Sequence, residues 1–429
     1  MKRKEILKFV KTNHSFVLLW TSQVLSQITL NMINFVMALR IYERTGSTLA
    51  VSFLWVFYYL PAFFLGPFSG FFVDLWKRRK VLLVTNLLQA LTVLLFLATK
   101  DGIYLIYPIV FLYSLLNQFY NPAEAASIPW LVKKKDLPLA NSLFMLTSQS
   151  ALVLGLGASG LLIRFFGQNN PVILSSLALF WAAVAVYFLP KNEPERGSWL
   201  SSFSQFWEEI KAGYSFIKDN RIVLFPLLLM ITFQVLLVVL GVTVPVFSRQ
   251  LLQISLQDAG PLLIVPLGLG ALNGVYLLTR LAGKVRKKDL IKRGLSLVFL
   301  VLLSFALVLP LFSRFRPVLA AMLMYVLGLA GILILIPNQT LVQERTPAKL
   351  RGRVYGALGF FGNLVTLPFL LFTASIVDIV GIKIFIFLAT GIVFTILLLF
   401  EKVENYILYQ INERYLARLD KKTLARQGI

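Results

Sequence analysis

The sequence contains no cysteine and a single histidine, His14. The absence of cysteine excludes disulfide frameworks, thiolate metal sites and cysteine nucleophiles. His14 lies in a basic leader ahead of the first apolar run, where a solvated side chain is expected. Charged residues make up only 14% of the chain, whereas a soluble globular protein has about 25%. Few side chains are therefore present for chemistry that needs clustered ionisable groups.

The patterns of common enzyme classes are also missing from the sequence. No Gly-Lys-Ser/Thr loop occurs that would cradle the phosphates of ATP. We find no metal-ligand cluster and no pair of carboxylates in a plausible cavity. We therefore expect neither enzymatic activity nor a metal or other cofactor. A channel is also disfavoured, because channels need rings of selectivity groups.

What the chain does contain is apolar length: 58% of its residues are hydrophobic, and 36 of them are phenylalanine. A bilayer core takes about 20 apolar residues per helix. The sequence predicts twelve such membrane helices, near 16–39, 48–72, 81–99, 103–123, 141–163, 171–189, 222–247, 259–283, 294–312, 317–339, 354–377 and 383–400. The predicted fold class is an all-α integral membrane protein.

One long polar interruption divides these runs into six and six. We predict two pseudo-symmetric six-helix bundles joined by a linker. The predicted parts are a basic leader (1–15), an N-terminal bundle (16–189), a linker (190–221), a C-terminal bundle (222–400) and a basic tail (401–429).

Lysine and arginine are distributed unevenly over the loops. If the termini, the even-numbered loops and the linker share one side, that side holds 33 of the 42 cations, the other side holds eight, and Arg280 lies at a helix edge. Cytoplasmic loops carry such an excess. We therefore predict a multi-pass protein of a bacterial cytoplasmic (inner) membrane, with both termini in the cytoplasm.

The formal net charge of +23 raises the question of nucleic-acid binding. The loop cations explain this charge by themselves, so no nucleic-acid partner is expected. The tail is predicted to form a surface helix that anionic headgroups attract, and a solvated tail is the alternative. The expected partners are membrane lipids and a small amphipathic substrate, and the expected state is a monomer.

The two halves are weakly alike. NPAEAASIPWLVKKKDLPLANSL follows the fourth helix, and PNQTLVQERTPAKLRGRVYGAL follows the tenth. Each has a proline near the helix end, a charged cluster, a second proline and a small-residue entry to the next helix. Internal repeats of six helices are typical of transporters.

The turn after the second helix carries a recognisable motif. GFFVDLWKRR resembles the pattern G-x-L-A-D-R-x-G-R-R of the major facilitator superfamily, with Leu75 and Lys77 departing from it. ALRIYERTGS, ASIPWLVKKKDLPLANSL and RTPAKLRGRVYGAL resemble the macrolide-efflux and drug-exporter-like branch. The resemblance covers nearly the whole chain. It implies the twelve-helix fold, a cavity lined by helices 1, 4, 7 and 10, and contacts between the halves through helices 2, 5, 8 and 11.

Three departures from that family leave proton coupling open. The fifth helix reads GLGASG, without the Gly-Pro pair of many drug antiporters. The fourth helix has no arginine, and GVYLLTRLAGKVRKKDL in the second half has no aspartate before its cations.

The same motif predicts a gate. Asp74 at the end of the second helix is expected to pair with Arg78 or to lie against the start of the eleventh helix, where the helix dipole favours an anion. The predicted gating residues are Gly70, Asp74, Arg78, Arg79, Gly352 and Gly356. The alternative is that the cations only anchor the loop. Glycines of the fifth and eleventh helices are expected to bring the halves close together, and static packing is the alternative.

Polar side chains inside a bilayer are costly and usually face a cavity or a partner helix. Two stripes and a smaller second-half set are predicted to line the cavity: Gln23, Gln27, Asn31 and Asn34; Tyr113, Asn117, Tyr120 and Asn121; Asn273, Tyr276, Arg280 and Asn363. Interhelical hydrogen bonding is the alternative for the stripes. The seventh and tenth helices are nearly apolar, so a cavity with one polar and one apolar wall is expected.

These observations predict secondary export of an amphipathic or hydrophobic small molecule. Glu124, near the end of the fourth helix, is the candidate proton carrier, with a structural role in a salt bridge or hydrogen bond as the alternative. The competing function is translocation of a lipid or lysophospholipid on the same fold without proton coupling.

Overall fold

The computed structural model describes residues 3–100, 102–191, 202–281, 284–347 and 350–426. Within these ranges the regular structure is helical. The helices before the linker are α1 (Arg3–Thr12), α2 (His14–Thr45), α3 (Thr48–Leu75), α4 (Arg78–Leu94), α5 (Ile106–Leu131), α6 (Leu137–Phe166) and α7 (Asn170–Tyr187).

The helices from the linker onward are fewer and longer. They are α8 (Ser202–Asp219), α9 (Arg221–Val246), α10 (Val265–Leu281), α11 (Lys287–Leu303), α12 (Arg316–Arg345) and α13 (Arg351–Arg426). Below, the first half means α2–α7 and the second half means α9–α13.

Eleven helices in the described ranges are long and apolar enough to cross a membrane, and the last of these runs is Arg353–Phe400. Its 48 residues would measure about 72 Å as one straight helix, more than twice the ~30 Å bilayer core. The backbone at Gly381 is non-helical, with φ 81° and ψ 160°. This break divides the run at the turn between the eleventh and twelfth predicted helices.

The helix ends follow local chemistry. Gly46 ends α2 in a left-handed conformation (φ 62°) that residues with a Cβ rarely adopt. Ser47 then caps α3, its hydroxyl accepting a hydrogen bond from the amide of Ala50. A proline stands in the first turn of α6, α7 and α12, where its missing N–H costs nothing.

Successive helices run antiparallel, so the bundle has two ends. We call the end with the α3–α4 and α5–α6 turns and α8 the linker end, and the end with Gly46, Gly167 and Gly381 the far end. At the far end one buried apolar cluster takes residues from both halves, among them Met37 and Leu54 from the first and Val242 and Ala374 from the second.

The linker end is packed differently. Buried clusters there draw on one half each: Phe16 and Leu82 belong to a first-half cluster, whereas Ile291 and Val354 belong to second-half clusters. Within the described residues, no buried apolar cluster joins the halves at this end. Among the described residues, the buried apolar core that the halves share therefore lies at the far end.

The predicted linker contains a helix. Residues 190–221 contain α8, which packs on the first turns of α13. A Cβ at Gly213 would lie 2.4 Å from the carbonyl oxygen of Arg353, and the rings of Tyr214 and Phe361 are 6.0 Å apart. The polar composition of this stretch concealed a helix that docks on the second half.

Candidate functional site

A chain of buried hydrogen bonds joins three helices of the first half near the linker end. Tyr120 on α5 donates its hydroxyl proton to Oε1 of Glu124, at 2.8 Å. The hydroxyls of Ser22 on α2 and Tyr120 are 3.1 Å apart, and Asn86 on α4 donates to Ser22 at 3.1 Å. Ser26 in turn donates to the Asn86 carbonyl at 3.2 Å.

Glu124 lies inside this network and is 7% exposed. A carboxyl group so enclosed is costly to ionise without partners. In the described part of the structure, the Tyr120 hydroxyl donates a hydrogen bond to the Glu124 carboxyl group. The arrangement can hold a proton and connect it, through hydroxyl and amide groups, to the centre of the first half.

The amide stripe of α2 faces α6 rather than a cavity. Gln23 is 2% exposed and donates to the Phe144 carbonyl and the Ser148 hydroxyl, both at 3.0 Å. A Cβ at Gly155 of α6 would lie 2.7 Å from the Cβ of Asn31. Of the two remaining members, Gln27 is half-buried and Asn34 is buried. Gln23 thus bonds between helices, as the interhelical alternative expects, whereas the Asn31 amide donates to the Gln27 carbonyl of its own helix at 2.8 Å.

The stripe of α5 is also largely internal. Tyr113 and Tyr120 are 3% and 0% exposed. Asn117 is 7% exposed and lies near the Tyr58 side chain of α3. Only Asn121 in this stripe is exposed. The expected polar wall of the first half is therefore mostly buried inside that half.

The exposed polar face belongs to the second half instead. Asn273, Tyr276 and Arg280 are all exposed on α10. The Arg280 guanidinium lies 4.6 Å from the centre of the Tyr276 ring, and Asn273 donates to the Tyr325 hydroxyl on α12. These three residues, predicted to line the cavity, thus share an exposed face of α10, and their place in the cavity stays a prediction.

Asn363 does not join that face. Its carbonyl accepts a hydrogen bond from Gln234 of α9 at 3.1 Å, and the Gln234 side chain also lies against Gly362. This pair ties α9 to α13 within the second half.

Aromatic side chains of α3 meet the second half at mid-height, a feature the polar-residue search did not detect. Trp55 stacks on Tyr59 at 6.3 Å and lies 3.5 Å from where a Gly241 Cβ would be. Further along α3, the rings of Phe63 and Phe360 stack at 6.5 Å. Trp55, Tyr59 and Phe63 follow one another at intervals of four residues, a helical spacing that could have predicted this aromatic face.

The predicted gating residues divide into two groups. Arg78 donates to the Ala126 carbonyl at 3.2 Å. Arg79 donates to the Tyr187 carbonyl and lies 5.4 Å over that ring. Both arginines thus contact helices of the first half. The side-chain surroundings of Gly70, Asp74 and Gly352 lie outside the described part of the structure, so the Asp74 contact stays a prediction.

Glycines of the fifth membrane helix lie in close contact with the second half, whereas two glycines of the eleventh do not contact the first half. On α6, a Cβ at Gly157 would lie 2.7 Å from Val265, and one at Gly160 only 1.9 Å from the Gln257 carbonyl oxygen, both in the second half. On α13, a Cβ at Gly356 or Gly359 would meet no atom within 4 Å. There is thus open space beside these two glycines, although the neighbouring Phe360 stacks on Phe63 of α3.

Among the described residues, no group of three His, Asp or Glu side chains is placed to hold a metal ion.

Comparison with known proteins agrees with this architecture. The model of the Major Facilitator Superfamily matches residues 19–368. The MFS-type transporter YfiS of Bacillus subtilis is 25% identical over 335 residues, 75% of this chain and 77% of that protein. Macrolide efflux protein A of Streptococcus pyogenes is 23% identical over 378 residues, 86% of this chain and 90% of that protein.

A solved structure shows the same fold at low sequence identity. The crystal structure of a mutant of the nucleoside transporter NupG superimposes with a TM-score of 0.73 at 12% identity, covering 91% of this chain and 99% of that one. Family match and fold agree, and the chain belongs to the Major Facilitator Superfamily, whose members are transporters rather than enzymes.

Proposed function

We propose that this transporter exports an amphipathic or hydrophobic small molecule by alternating access. The observation that carries the proposal is the unequal packing of the two ends. The halves share a buried core at the far end and have separate cores at the linker end. A bundle closed at one end and parted at the other is one of the two states that alternating access requires.

The loop charges give this state a direction. The linker end carries the excess of lysine and arginine, which supports its assignment to the cytoplasm. The structure is then the state open to the cytoplasm, ready to load a substrate for export. The similarity to macrolide efflux protein A supports the outward direction.

The α10 face supports an amphipathic substrate. Arg280 lies in the last turn of α10, at the linker end, and we propose that the face it shares with Asn273 lines the opening between the halves. Next to Asn273 and Arg280, the side chains of Leu269 and Leu272 are 54% and 59% exposed. Such a surface offers a cation and an amide beside apolar area, which suits a molecule with one polar and one apolar part.

The test is transport by the purified protein in proteoliposomes, with a hydrophobic fluorescent dye and a fluorescent lysophospholipid compared with and without a pH gradient. We expect dye movement. We also expect Arg280→Gln to weaken it more than the control Lys383→Gln near the Gly381 turn. Movement of lysolipid but not dye would replace export by lipid translocation, and transport of only a sugar or an inorganic anion would contradict both.

A further inference from the structure

Two chain reversals meet at the far end, one from each half. Gly46 (φ 62°) turns the chain from α2 into α3, and Gly381 (φ 81°) breaks α13 between its two membrane crossings. Asp378 lies three residues before Gly381 and therefore reaches the first reversal from the other half. Asp378 stands at the end of an apolar run, and the sequence pattern alone does not identify it as a functional residue.

The Asp378 carboxylate accepts three hydrogen bonds from the start of α3. Oδ2 accepts from the Ser47 hydroxyl at 2.6 Å and from the Leu49 amide at 2.9 Å. Oδ1 accepts from the Thr48 amide at 2.7 Å. Both carboxylate oxygens are thus used, and every donor belongs to the opposite half.

The location explains why an acid is suited to this contact. The first amides of a helix have no partner within the helix, and the helix dipole favours a negative charge beside them. Ser47 already caps the amide of Ala50 at 3.2 Å. Asp378 supplies the acceptors for two further amides, so α3 receives part of its N-terminal cap from the second half.

A second acidic contact between the halves lies at the same end and is weaker. Arg164 of α6 pairs with Asp258 at 3.1 Å, with the two side chains 60% and 31% exposed. Ion pairs this open to solvent contribute little because water and salt screen them. It provides a matched control: the same kind of residue, the same end and the same pair of halves.

We propose that Asp378 is the positioning residue that holds the far end closed, by capping α3 across the two halves. Opening that end separates α13 from α3 and must break all three hydrogen bonds together. The inference rests on the proposed alternating-access function, which requires the far end to open. It concerns the closed state, however, and can be measured without any transport.

The absence of cysteine makes the full-length chain suitable for the test. Ala374, one helical turn before Asp378, is fully buried in the shared far-end core. In an Ala374→Cys protein, a water-soluble maleimide should react only when that core opens. Ala182→Cys serves as the unfolding control, because Ala182 is fully buried on α7, away from the contact between the halves.

We expect Asp378→Asn to speed alkylation of Ala374→Cys by about tenfold. This is the effect expected when hydrogen bonds to a charged group are lost from the closed state. An asparagine retains one oxygen acceptor, but its NH₂ group cannot accept from a backbone amide. Asp258→Asn should leave the rate nearly unchanged. An unaltered rate in Asp378→Asn, or an equal increase in Asp258→Asn, overturns the proposal.

If Asp378→Asn also speeds alkylation of Ala182→Cys, the variant is unfolding. Ser47→Ala then replaces it, since this change removes only the 2.6 Å bond to Asp378 and the cap of Ala50. It must accelerate Ala374→Cys and not Ala182→Cys, and any other result contradicts the assignment. Failure of dye transport with these rates as expected would count against the proposed function but not against the role of Asp378 in closing the far end.

Discussion

At the scale of single residues, Glu124 is the side chain whose chemistry most needs explaining. It is almost fully buried and accepts a hydrogen bond from Tyr120, which connects it to Ser22 and Asn86. Buried networks of this kind keep their members in one arrangement. A carboxyl group held in this way is suited to carry a proton between the two access states.

We expect Glu124→Gln to abolish the part of transport that depends on a pH gradient, while substrate binding persists. The amide keeps the size of the carboxyl group and can still accept from Tyr120 but cannot titrate. Uptake with and without the gradient, beside a binding assay, measures this. Glu43→Gln is the control, because Glu43 accepts from Gln168 at the far end. Gradient-driven transport that survives Glu124→Gln would leave Glu124 a structural role only.

The amides of α2 show what residue patterns can predict. Helical spacing correctly placed Gln23 and Asn31 on one face. It did not reveal that α6 covers that face, because the neighbour of a helix depends on packing far along the chain. The sequence pattern likewise identified the polar positions of α5 and α10, but it could not predict which of them are buried and which are exposed.

At the scale of helices, a very close contact in the second half joins α10 and α12. A Cβ at Gly270 would lie 1.8 Å from the Tyr325 carbonyl oxygen, and one at Gly328 would lie 1.9 Å from the Leu267 carbonyl oxygen. Each helix thus presents a glycine to the backbone of the other. Such close approach is the usual function of small residues between membrane helices.

We expect Gly270→Ala to destabilise the protein by about 1–3 kcal/mol through overpacking. The added methyl group must push α12 away, since backbone atoms cannot rotate aside as a side chain can. Thermal unfolding in detergent measures the loss as a lower Tm. Gly391→Ala is the control, because a Cβ there meets nothing within 4 Å. Equal Tm values for the two variants would show that the contact is looser than described.

Helices were easier to predict than their interruptions. Long apolar runs correspond to the observed membrane helices, since a bilayer leaves the backbone few other options. The helix α8 was not predicted because the linker lacks a long apolar run. Its docking through Gly213 on Arg353 depends on the tertiary structure.

At the scale of the whole molecule, loop charge predicts the orientation in the membrane. We expect a cysteine at Lys134, in the α5–α6 turn, to react with an impermeant maleimide only after cells are permeabilised. A cysteine at Tyr104, which is 81% exposed and precedes α5 at the far end, should react in intact cells. The parent chain, without cysteine, gives the background. The reverse pattern would place the linker end outside and reverse the proposed direction of transport.

The shared far-end core has a consequence for the resting cell. It closes the pathway with aliphatic side chains such as Leu54, Val242 and Ala374, all nearly or fully buried, and a constriction of this kind excludes water. A constriction without water conducts neither protons nor other ions. In the proposed cycle, an idle copy of the protein therefore does not leak ions, and the membrane potential is kept while the linker end is open.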